Sequence, residues 1–130
     1  MADGTYPDDL LYHSEHDWAR VEGEEATFGI TWYAQDALGE VVFFDPPKVG
    51  SHIRKDEPYT EIESVKAVSD VVAPMSGEVL AVNDTLSDRP ETINDDPYGE
   101  GWLVRVKLSD PSEADALMDA SSYEASLSAG

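Results

Sequence analysis

Apolar and polar residues alternate through several stretches of the chain, which is the pattern of strands with one buried face. The segment DWARVEGEEATFGI, residues 17–30, alternates around Gly-Glu-Glu and predicts a β-hairpin. The segment WLVRVKL, residues 102–108, also alternates and predicts the last strand. The run VVFF, residues 41–44, is continuously apolar and predicts a buried strand that Asp-Pro-Pro ends. The hydrophobic pattern therefore predicts a mainly β chain.

Short strands and turn residues dominate the middle of the chain, residues 49–82. Glycine and proline residues divide this region at short intervals, and such regularly spaced strands are typical of a β-sandwich or a barrel. Residues 83–100 are polar and predict a long loop. Loops of this length are usually functional or mobile.

Helical patterns occur in two places. Thr31 can cap a short internal helix that Gly39 ends, with apolar residues at helical spacing between them. The C-terminal region, residues 110–127, predicts two short helices appended to the β body. Asp110 can cap the first of these, and Ser121, followed three residues later by glutamate, can cap the second.

The length of the chain, residues 1–130, predicts one domain, with residues 1–10 as a loose polar arm. No stretch approaches the ~20 apolar residues of a membrane span. The first residues match neither a secretory signal nor a mitochondrial transit peptide, so we expect a cytoplasmic protein without a membrane partner. The chain has no cysteine, which excludes disulfides, thiolate metal sites and cysteine nucleophiles.

The chain has 28 acidic residues against 8 basic ones, for a formal net charge of −20. Binding to nucleic acid or to anionic membranes requires clustered lysine and arginine, so neither is an expected partner. A solvated acidic shell keeps such a protein soluble. We expect its protein partners to present basic patches, with binding that salt weakens.

One of only four lysines, Lys66, lies in the segment ESVKAVSD, residues 63–70. Residues that favour strands lie on both sides, so Lys66 and Ala67 are predicted to form a two-residue hairpin tip. Small neighbours would leave the amine in solvent. An ordinary lysine amine is protonated near neutral pH and is a poor nucleophile by itself. An exposed lysine is usually only a solubilising side chain, but this one is suited to acylation by another enzyme.

Further motifs surround this segment in a consistent order: SEHDW at 14–18, GITWYAQDALGEVVF at 29–43, APMSGEVLAVN at 73–83 and DPYGEGWLVRVKLSDPSE at 96–113. Together with ESVKAVSD they resemble the glycine cleavage system H-protein family over residues 10–125. The resemblance implies a hybrid barrel-sandwich fold, similar to lipoyl and biotinyl domains. It also implies that Lys66 lies at a hairpin tip.

The resemblance implies a lipoate cofactor in covalent amide linkage to Lys66. It implies a non-catalytic carrier, because the cofactor supplies the chemistry and the protein supplies position and recognition. The carrier would shuttle an aminomethyl unit and reducing equivalents between glycine decarboxylase (P protein), an aminomethyltransferase (T protein) and dihydrolipoamide dehydrogenase (L protein). Lipoylating enzymes would be further partners.

The resemblance also implies roles for residues near the lysine. Glu63 and Gly77 match positions that lipoylating enzymes recognise, although Gly77 can equally serve as a turn glycine. Glu15, Asp17 and Asp70 match positions at which the loaded arm docks in a surface cleft. Carboxylates are suited to that task because they can pair with a cationic amine.

Other interpretations stay open at this stage. A lipoyl relay that delivers lipoate to 2-oxoacid dehydrogenases belongs to the same chemical class, and an unmodified β-domain adaptor belongs to a different one. A biotin carrier is disfavoured because Val65 and Ala67, rather than methionines, flank the lysine. His13 and His16 have a spacing that suits metal ligation on a helix, but the adjoining residues predict a strand, so no metal site is expected.

Overall fold

The computed structural model describes residues 6–129, and its strands form two antiparallel sheets. The large sheet contains, in spatial order, β1 (Leu11–His13), β2 (Asp17–Glu22), β3 (Glu25–Ile30), β9 (Val104–Leu108), β8 (Gly77–Val82) and β5 (His52–Ile53). The small sheet contains β4 (Val41–Asp45), β6 (Pro58–Ser64) and β7 (Val68–Val72), in that order. The predicted mainly β class is confirmed.

The first predicted hairpin is present as β2 and β3. Glu22 pairs with Glu25, so a two-residue turn of Gly23 and Glu24 joins the strands. Gly23 has a φ of 66°, a backbone conformation that glycine adopts without a steric penalty. The last strand, β9, lies beside β3, which places the chain's two best alternating segments in the centre of the large sheet.

The strand β4 differs from its prediction. The run VVFF was predicted to be buried, but Val42 and Phe43 are 45% and 50% exposed. The pairing of β4 with β6 shifts between Val41 and Phe43, and only Val41 and Phe44 of this run enter the core. One face of the small sheet is open to solvent, so a continuous apolar run cannot be buried on both sides here.

Two clusters of buried side chains hold the fold together. The main core includes residues from both sheets, among them Phe28, Ile62, Met75, Val79 and Val106. A second cluster joins the two ends of the chain and contains Leu10, Tyr12, Trp18, Ala120 and Tyr123.

The predicted loose arm needs correction where the structure describes it. Leu10 is buried, and the Tyr6 ring lies edge-on to Tyr123 at a centroid distance of 5.4 Å. Residues 6–10 therefore pack onto the body, because their apolar side chains complete the second cluster. Residues 1–5 of the predicted arm lie outside the described part of the chain.

The internal helix α1 (Trp32–Leu38) begins and ends as predicted. The Thr31 hydroxyl accepts a hydrogen bond from the Ala34 amide, and the Gly39 amide donates to the Gln35 carbonyl. The predicted long loop at 83–100 is different, because it contains two one-turn helices, α2 (Thr85–Asp88) and α3 (Thr92–Asp95). Each is held to the body by one buried side chain, Leu86 in α2 and Ile93 in α3.

The C-terminal region forms a 3₁₀ helix (Pro111–Ala116) and the helix α4 (Ala120–Ala129). The Asp110 side chain accepts from the Ser112 amide, as predicted for a cap. The second cap differs from its prediction: the Asp119 carboxylate, rather than Ser121, accepts from the Ser122 amide at 2.8 Å. Within residues 6–129, no helix combines the length and apolar composition that a membrane crossing requires.

Candidate functional site

Lys66 lies at the tip of the β6–β7 hairpin, in the small sheet. Glu63 pairs with Val68, and the Ser64 amide donates to the Ala67 carbonyl at 2.8 Å. Because β6 ends at Ser64 and β7 begins at Val68, three residues, Val65, Lys66 and Ala67, lie between the strands, one more than the predicted two-residue tip. The lysine side chain is exposed at the apex, as predicted.

The hydroxyl of Ser64 holds the backbone of this tip. It accepts hydrogen bonds from the amides of Lys66 and Ala67 at 3.3 and 3.1 Å, and it donates to the Ala67 carbonyl at 3.3 Å. Ser64 is buried, whereas the three tip residues are exposed. Sequence reasoning missed this residue. Its one signal was a hydroxyl at an inward position of an alternating strand.

The turn between α1 and β4 supports the tip from below. The Val65 amide donates to the Glu40 carbonyl at 3.0 Å. The Lys66 side chain lies over Gly39, where an added Cβ would be 3.3 Å from the lysine Cε. Among the residues that the structure describes, Lys66 has no ion-pair partner. The backbone of the lysine is fixed, and its amine is accessible.

Asn94, in α3, anchors that supporting turn. Its side-chain amide donates to the Gly39 carbonyl at 2.8 Å and to Gln35 Oε1 at 3.0 Å, and its carbonyl oxygen accepts from the Val41 amide at 2.8 Å. The region predicted as a loop therefore stabilises the platform under the lysine. Only the three-dimensional structure shows this connection, because the partners are more than fifty residues apart.

A cleft of ≈ 350 Å³ lies beside the tip, between α1 and β7. Apolar side chains of both elements form most of its wall, including Ala34, Ala37, Leu38, Val68 and Val71. Two carboxylate residues also line the cleft, Glu15 and Asp70. Such a cleft can take an apolar chain along its wall and a cation near its carboxylates. The structure thus brings two of the three predicted docking residues together.

Asp17 is the predicted docking residue that the structure does not bring into the cleft wall. It is 1% exposed, and neither carboxylate oxygen has a hydrogen-bond partner. His13 Nδ1 lies 3.7 Å from Asp17 Oδ1, but this nitrogen accepts a hydrogen bond from the Glu15 amide. Burial raises the pKa of Asp17 well above its ordinary value. Asp17 therefore favours the neutral form and does not present a solvent-facing carboxylate.

The two histidines of the β1–β2 turn have structural partners. His13 Nε2 lies 2.6 Å from Asp56 Oδ1, and His13 Nδ1 accepts from the Glu15 amide at 3.0 Å. The hydrogen bond with His13 holds the pKa of Asp56 below its ordinary value. Within residues 6–129 no cluster of His, Asp and Glu is arranged to hold a metal ion.

His16 links the cleft to the C-terminal helix. Its Nδ1 lies 2.8 Å from the Tyr123 hydroxyl, which also contacts Thr31 Oγ1 at 2.9 Å. The imidazole lies 4.5 Å from the Tyr33 ring on α1, and burial lowers the pKa of His16. The helix α4 thus supports one wall of the cleft, a role that its sequence did not indicate.

The two predicted recognition residues lie in different environments. Glu63 is exposed on β6, one residue before the tip-closing Ser64. Gly77 is buried at the start of β8, and an added Cβ would clash with the Lys107 carbonyl oxygen and with Val106 Cγ1. Close packing of β8 on β9 therefore accounts for a glycine at position 77, which lies in a strand and not in a turn.

Comparison with known proteins agrees with this geometry. The glycine cleavage H-protein family model matches residues 10–130. The glycine cleavage system H protein of Myxococcus xanthus is 50% identical over 127 residues, which cover 98% of both chains. That of Symbiobacterium thermophilum is 52% identical over 119 residues, which cover 92% of this chain and 93% of the relative.

A solved structure agrees with the fold as well as with the sequence. The crystal structure of a glycine cleavage system H protein from Mycobacterium marinum matches with a TM-score of 0.85 at 37% identity. The match covers 94% of this chain and 98% of that one. Family model, relatives and fold thus agree over nearly the whole length. The chain therefore belongs to the glycine cleavage H-protein family, the lipoyl carriers of the glycine cleavage system.

Proposed function

We propose that this chain carries its lipoyl group in amide linkage on Nζ of Lys66. The observation that supports this most directly is the presentation of Lys66: an exposed side chain on a tip whose backbone is held by Ser64 and Glu40. A fixed backbone with a free amine is what an external acylating enzyme requires, because it can approach without unfolding the substrate.

Amide formation at Lys66 needs an activated acyl donor and an enzyme that removes protons. A carbon–nitrogen bond forms between the acyl carbon and Nζ, the bond from that carbon to its leaving group breaks, and the ammonium loses two protons. No electrons are transferred. We propose that lipoylating enzymes recognise Glu63, which is exposed close to the tip, and that Gly77 contributes through the packing that its missing side chain allows.

The cleft beside the tip suits a docked arm. When bound, the lipoyl group supplies a dithiolane that accepts an aminomethyl unit and two reducing equivalents. The apolar wall from α1 and β7 would hold the arm and exclude water, and the Glu15 and Asp70 carboxylates would attract a cationic amine. Asp17 would act through the fold of the turn that carries Glu15, since Asp17 itself is buried.

We propose that the chemistry takes place on three partner enzymes of the system. These are glycine decarboxylase (P protein), the aminomethyltransferase (T protein) and dihydrolipoamide dehydrogenase (L protein). The chain itself acts as a non-catalytic component that positions the arm and releases it from the cleft to each enzyme in turn. The acidic surface favours partners whose docking faces are basic.

Intact-mass measurement tests the attachment site. The full chain is produced in cells that supply lipoate and a lipoylating enzyme, beside the variants Lys66→Arg and Lys107→Arg. We expect one lipoyl amide on the unmodified sequence and on Lys107→Arg, and none on Lys66→Arg, because a guanidinium is not acylated. An adduct that persists in Lys66→Arg, or that maps to another lysine, would overturn the assignment.

A second assay tests the carrier role. The lipoylated chain, mixed with the P protein, should support exchange of bicarbonate into the carboxyl group of glycine, and the unmodified chain should not. Lipoylated material that supports no exchange, yet donates lipoate to a 2-oxoacid dehydrogenase, would indicate a relay instead.

A further inference from the structure

The outer face of the small sheet carries an unusual concentration of exposed apolar side chains. Phe43, Glu63 and Val68 are paired directly across β4, β6 and β7, so their side chains share this face. Phe43 is 50% exposed and Val68 is 60% exposed. Val42 and Val65, which adjoin the same strand ends, are also exposed. Of the seven large exposed apolar residues in the described part of the chain, four belong to this group.

A row of carboxylates borders this apolar row. Asp45, Glu61 and Asp70 pair across the same three strands, two residues away from the first row and therefore on the same face. The strands β4, β6 and β7 contain no lysine or arginine. Among the described residues, none of these three carboxylates has an ion-pair partner. The face therefore carries Phe43 and Val68 on either side of Glu63, next to an uncompensated acidic row.

The docking cleft accounts for only one edge of this face. Val68 and Asp70 on β7 also line the cleft, whereas Phe43 and Val42 are on β4 at the opposite edge of the sheet and do not. Folding does not account for the face, because exposed apolar side chains lose the benefit of burial. Contiguous exposed apolar patches rimmed by polar residues mark surfaces that bind other proteins.

We propose that this outer face is the docking surface for the enzyme that acylates Lys66. The inference rests on the proposed function of Lys66 and identifies the surface that this step uses. The occupant we assign presents apolar side chains opposite Phe43 and Val68, with lysine or arginine opposite the row of Asp45, Glu61 and Asp70.

Position distinguishes this occupant from the other partner enzymes. The acylating enzyme reacts with Nζ itself, so its active site must come within one lysine length of the tip and its surface must cover the adjacent rows. Val65 precedes Lys66 directly, and the Glu63–Val68 pair is the last before the tip. Enzymes that act on the distal end of a loaded arm work one arm length further away and need no contact with Phe43.

Steady-state acylation of the full chain tests the proposal. An ATP-dependent lipoylating enzyme and lipoate are mixed with increasing chain, and product is counted by intact mass. We expect Phe43→Ser to raise KM for the chain by about fivefold to tenfold and Val68→Ser by about threefold, with kcat unchanged, because apolar contact is lost and the reacting amine is not. KM of the unmodified sequence should also rise with salt.

The chain offers a matched control. Val49 is 60% exposed, as is Val68, but it lies in the turn before β5. Val49→Ser should leave KM unchanged. Melting curves report whether each variant is folded. If Phe43→Ser does not fold, Val68→Thr gives the same test with a smaller change, because it replaces one methyl group by a hydroxyl at nearly constant shape.

The possible results separate this inference from the proposed function. If the unmodified sequence is not acylated on Lys66, the proposed function fails. If it is acylated, and Phe43→Ser and Val68→Ser have the KM of Val49→Ser, the docking surface is overturned. If these two variants are acylated normally but no longer support glycine–bicarbonate exchange, the face belongs to the decarboxylase and our assignment is overturned. If the variants are acylated normally but lose a self-association that the unmodified chain shows in sedimentation, the face binds a second copy of the chain, and our assignment is again overturned.

Discussion

The outer faces of the two sheets differ in how their charged and apolar side chains are arranged. On the large sheet, Glu25, Lys107 and Glu78 lie side by side across β3, β9 and β8, so acidic and basic side chains alternate. Arg105 adds an ion pair with Glu25 at 2.6 Å. Opposite charges in neighbouring strands stabilise a sheet, and their balance keeps its surface solvated.

On the small sheet, the corresponding neighbours do not balance one another. Asp45, Glu61 and Asp70 form a row of like charges, and the next row contains Phe43 and Val68. Like charges directly opposite each other weaken strand pairing, and exposed apolar residues contribute no burial. The face that carries the lysine tip thus lacks the stabilising charge pairs of the other face, as is expected of the docking surface that we propose.

The largest predicted effect is on stability, and it should differ between the two candidate recognition residues, which lie in different sheets. Gly77→Ala forces a Cβ into the contact between β8 and β9, so the free energy of unfolding should fall by about 3 kcal/mol in urea titrations. Glu63→Gln, on the exposed face, should leave stability within about 0.5 kcal/mol and lower kcat/KM for lipoylation by about tenfold.

Lipoylation assays at low temperature complete this test. Gly77→Ala that is still folded should be acylated at nearly the normal rate, because its position in β8 is buried and away from the tip-bearing sheet. A stable but unacylated Gly77→Ala would show that the glycine acts in recognition and would break the division between the sheets.

The second effect lies in the interior, at Asp17. Its folded-state pKa is raised, so folding is favoured with the carboxyl protonated. Stability from this group is full below the unfolded pKa of about 3.9 and is lost as pH rises through the folded-state pKa. Asp17→Asn should remove this dependence, so its free energy of unfolding should exceed that of the unmodified chain at the alkaline end of a pH series of urea titrations.

A matched carboxylate provides the control for Asp17. Asp115, in the 3₁₀ helix, is exposed, and Asp115→Asn is the control for loss of a carboxylate that is not buried. If Asp17→Asn has the same slope as the unmodified chain, then burial does not raise the pKa of Asp17 in the folded protein.

The third effect is at the tip itself. Ser64→Ala removes the hydroxyl that accepts from the Lys66 and Ala67 amides, and it should lower the free energy of unfolding by about 1 kcal/mol. Hydrogen exchange of those two amides should become faster, while exchange in the large sheet stays unchanged. Ser69→Ala, which removes a β7 hydroxyl that does not bond the tip amides, is the control. Unchanged exchange at both tip amides would mean that the Ser64 hydroxyl does not hold the tip.

Much of the fold could be predicted because its signals are local. Alternation with period two is a property of single strands, so β2, β3 and β9 were recognisable individually. The caps Thr31 and Gly39 act within one helix and were also recognisable. Lys66 was conspicuous because lysine is scarce in this chain and its neighbours are small.

The features that escaped prediction depend on contacts between distant parts of the chain. The length of the tip depends on hydrogen bonds of Ser64, and the platform beneath it depends on Asn94. One-turn helices such as α2 and α3 are too short for a helical period to show. Asp17 resembles any other acidic residue in sequence, and only the folded structure shows that it is removed from solvent.

The smallest predicted effect is a change in the free energy of unfolding that should have opposite signs on the two sheets. Glu61→Gln removes the middle charge of the acidic row on the small sheet and should raise the free energy of unfolding by about 0.5 kcal/mol. Glu25→Gln removes the partner of Arg105 and a neighbour of Lys107 on the large sheet, and it should lower that free energy by about 0.5 kcal/mol. Urea titrations at low ionic strength measure both changes.

Salt provides the internal control for this pair of variants. Both changes arise from charges on exposed surfaces, so both should shrink towards zero in about 1 M salt, where the Debye length is about 3 Å. Amide and carboxylate side chains have nearly the same shape, so packing is unchanged in each variant. Two changes of the same sign at low salt would contradict the difference between the faces, because removal of a negative charge would then act through the net charge of −20 and not through its neighbours.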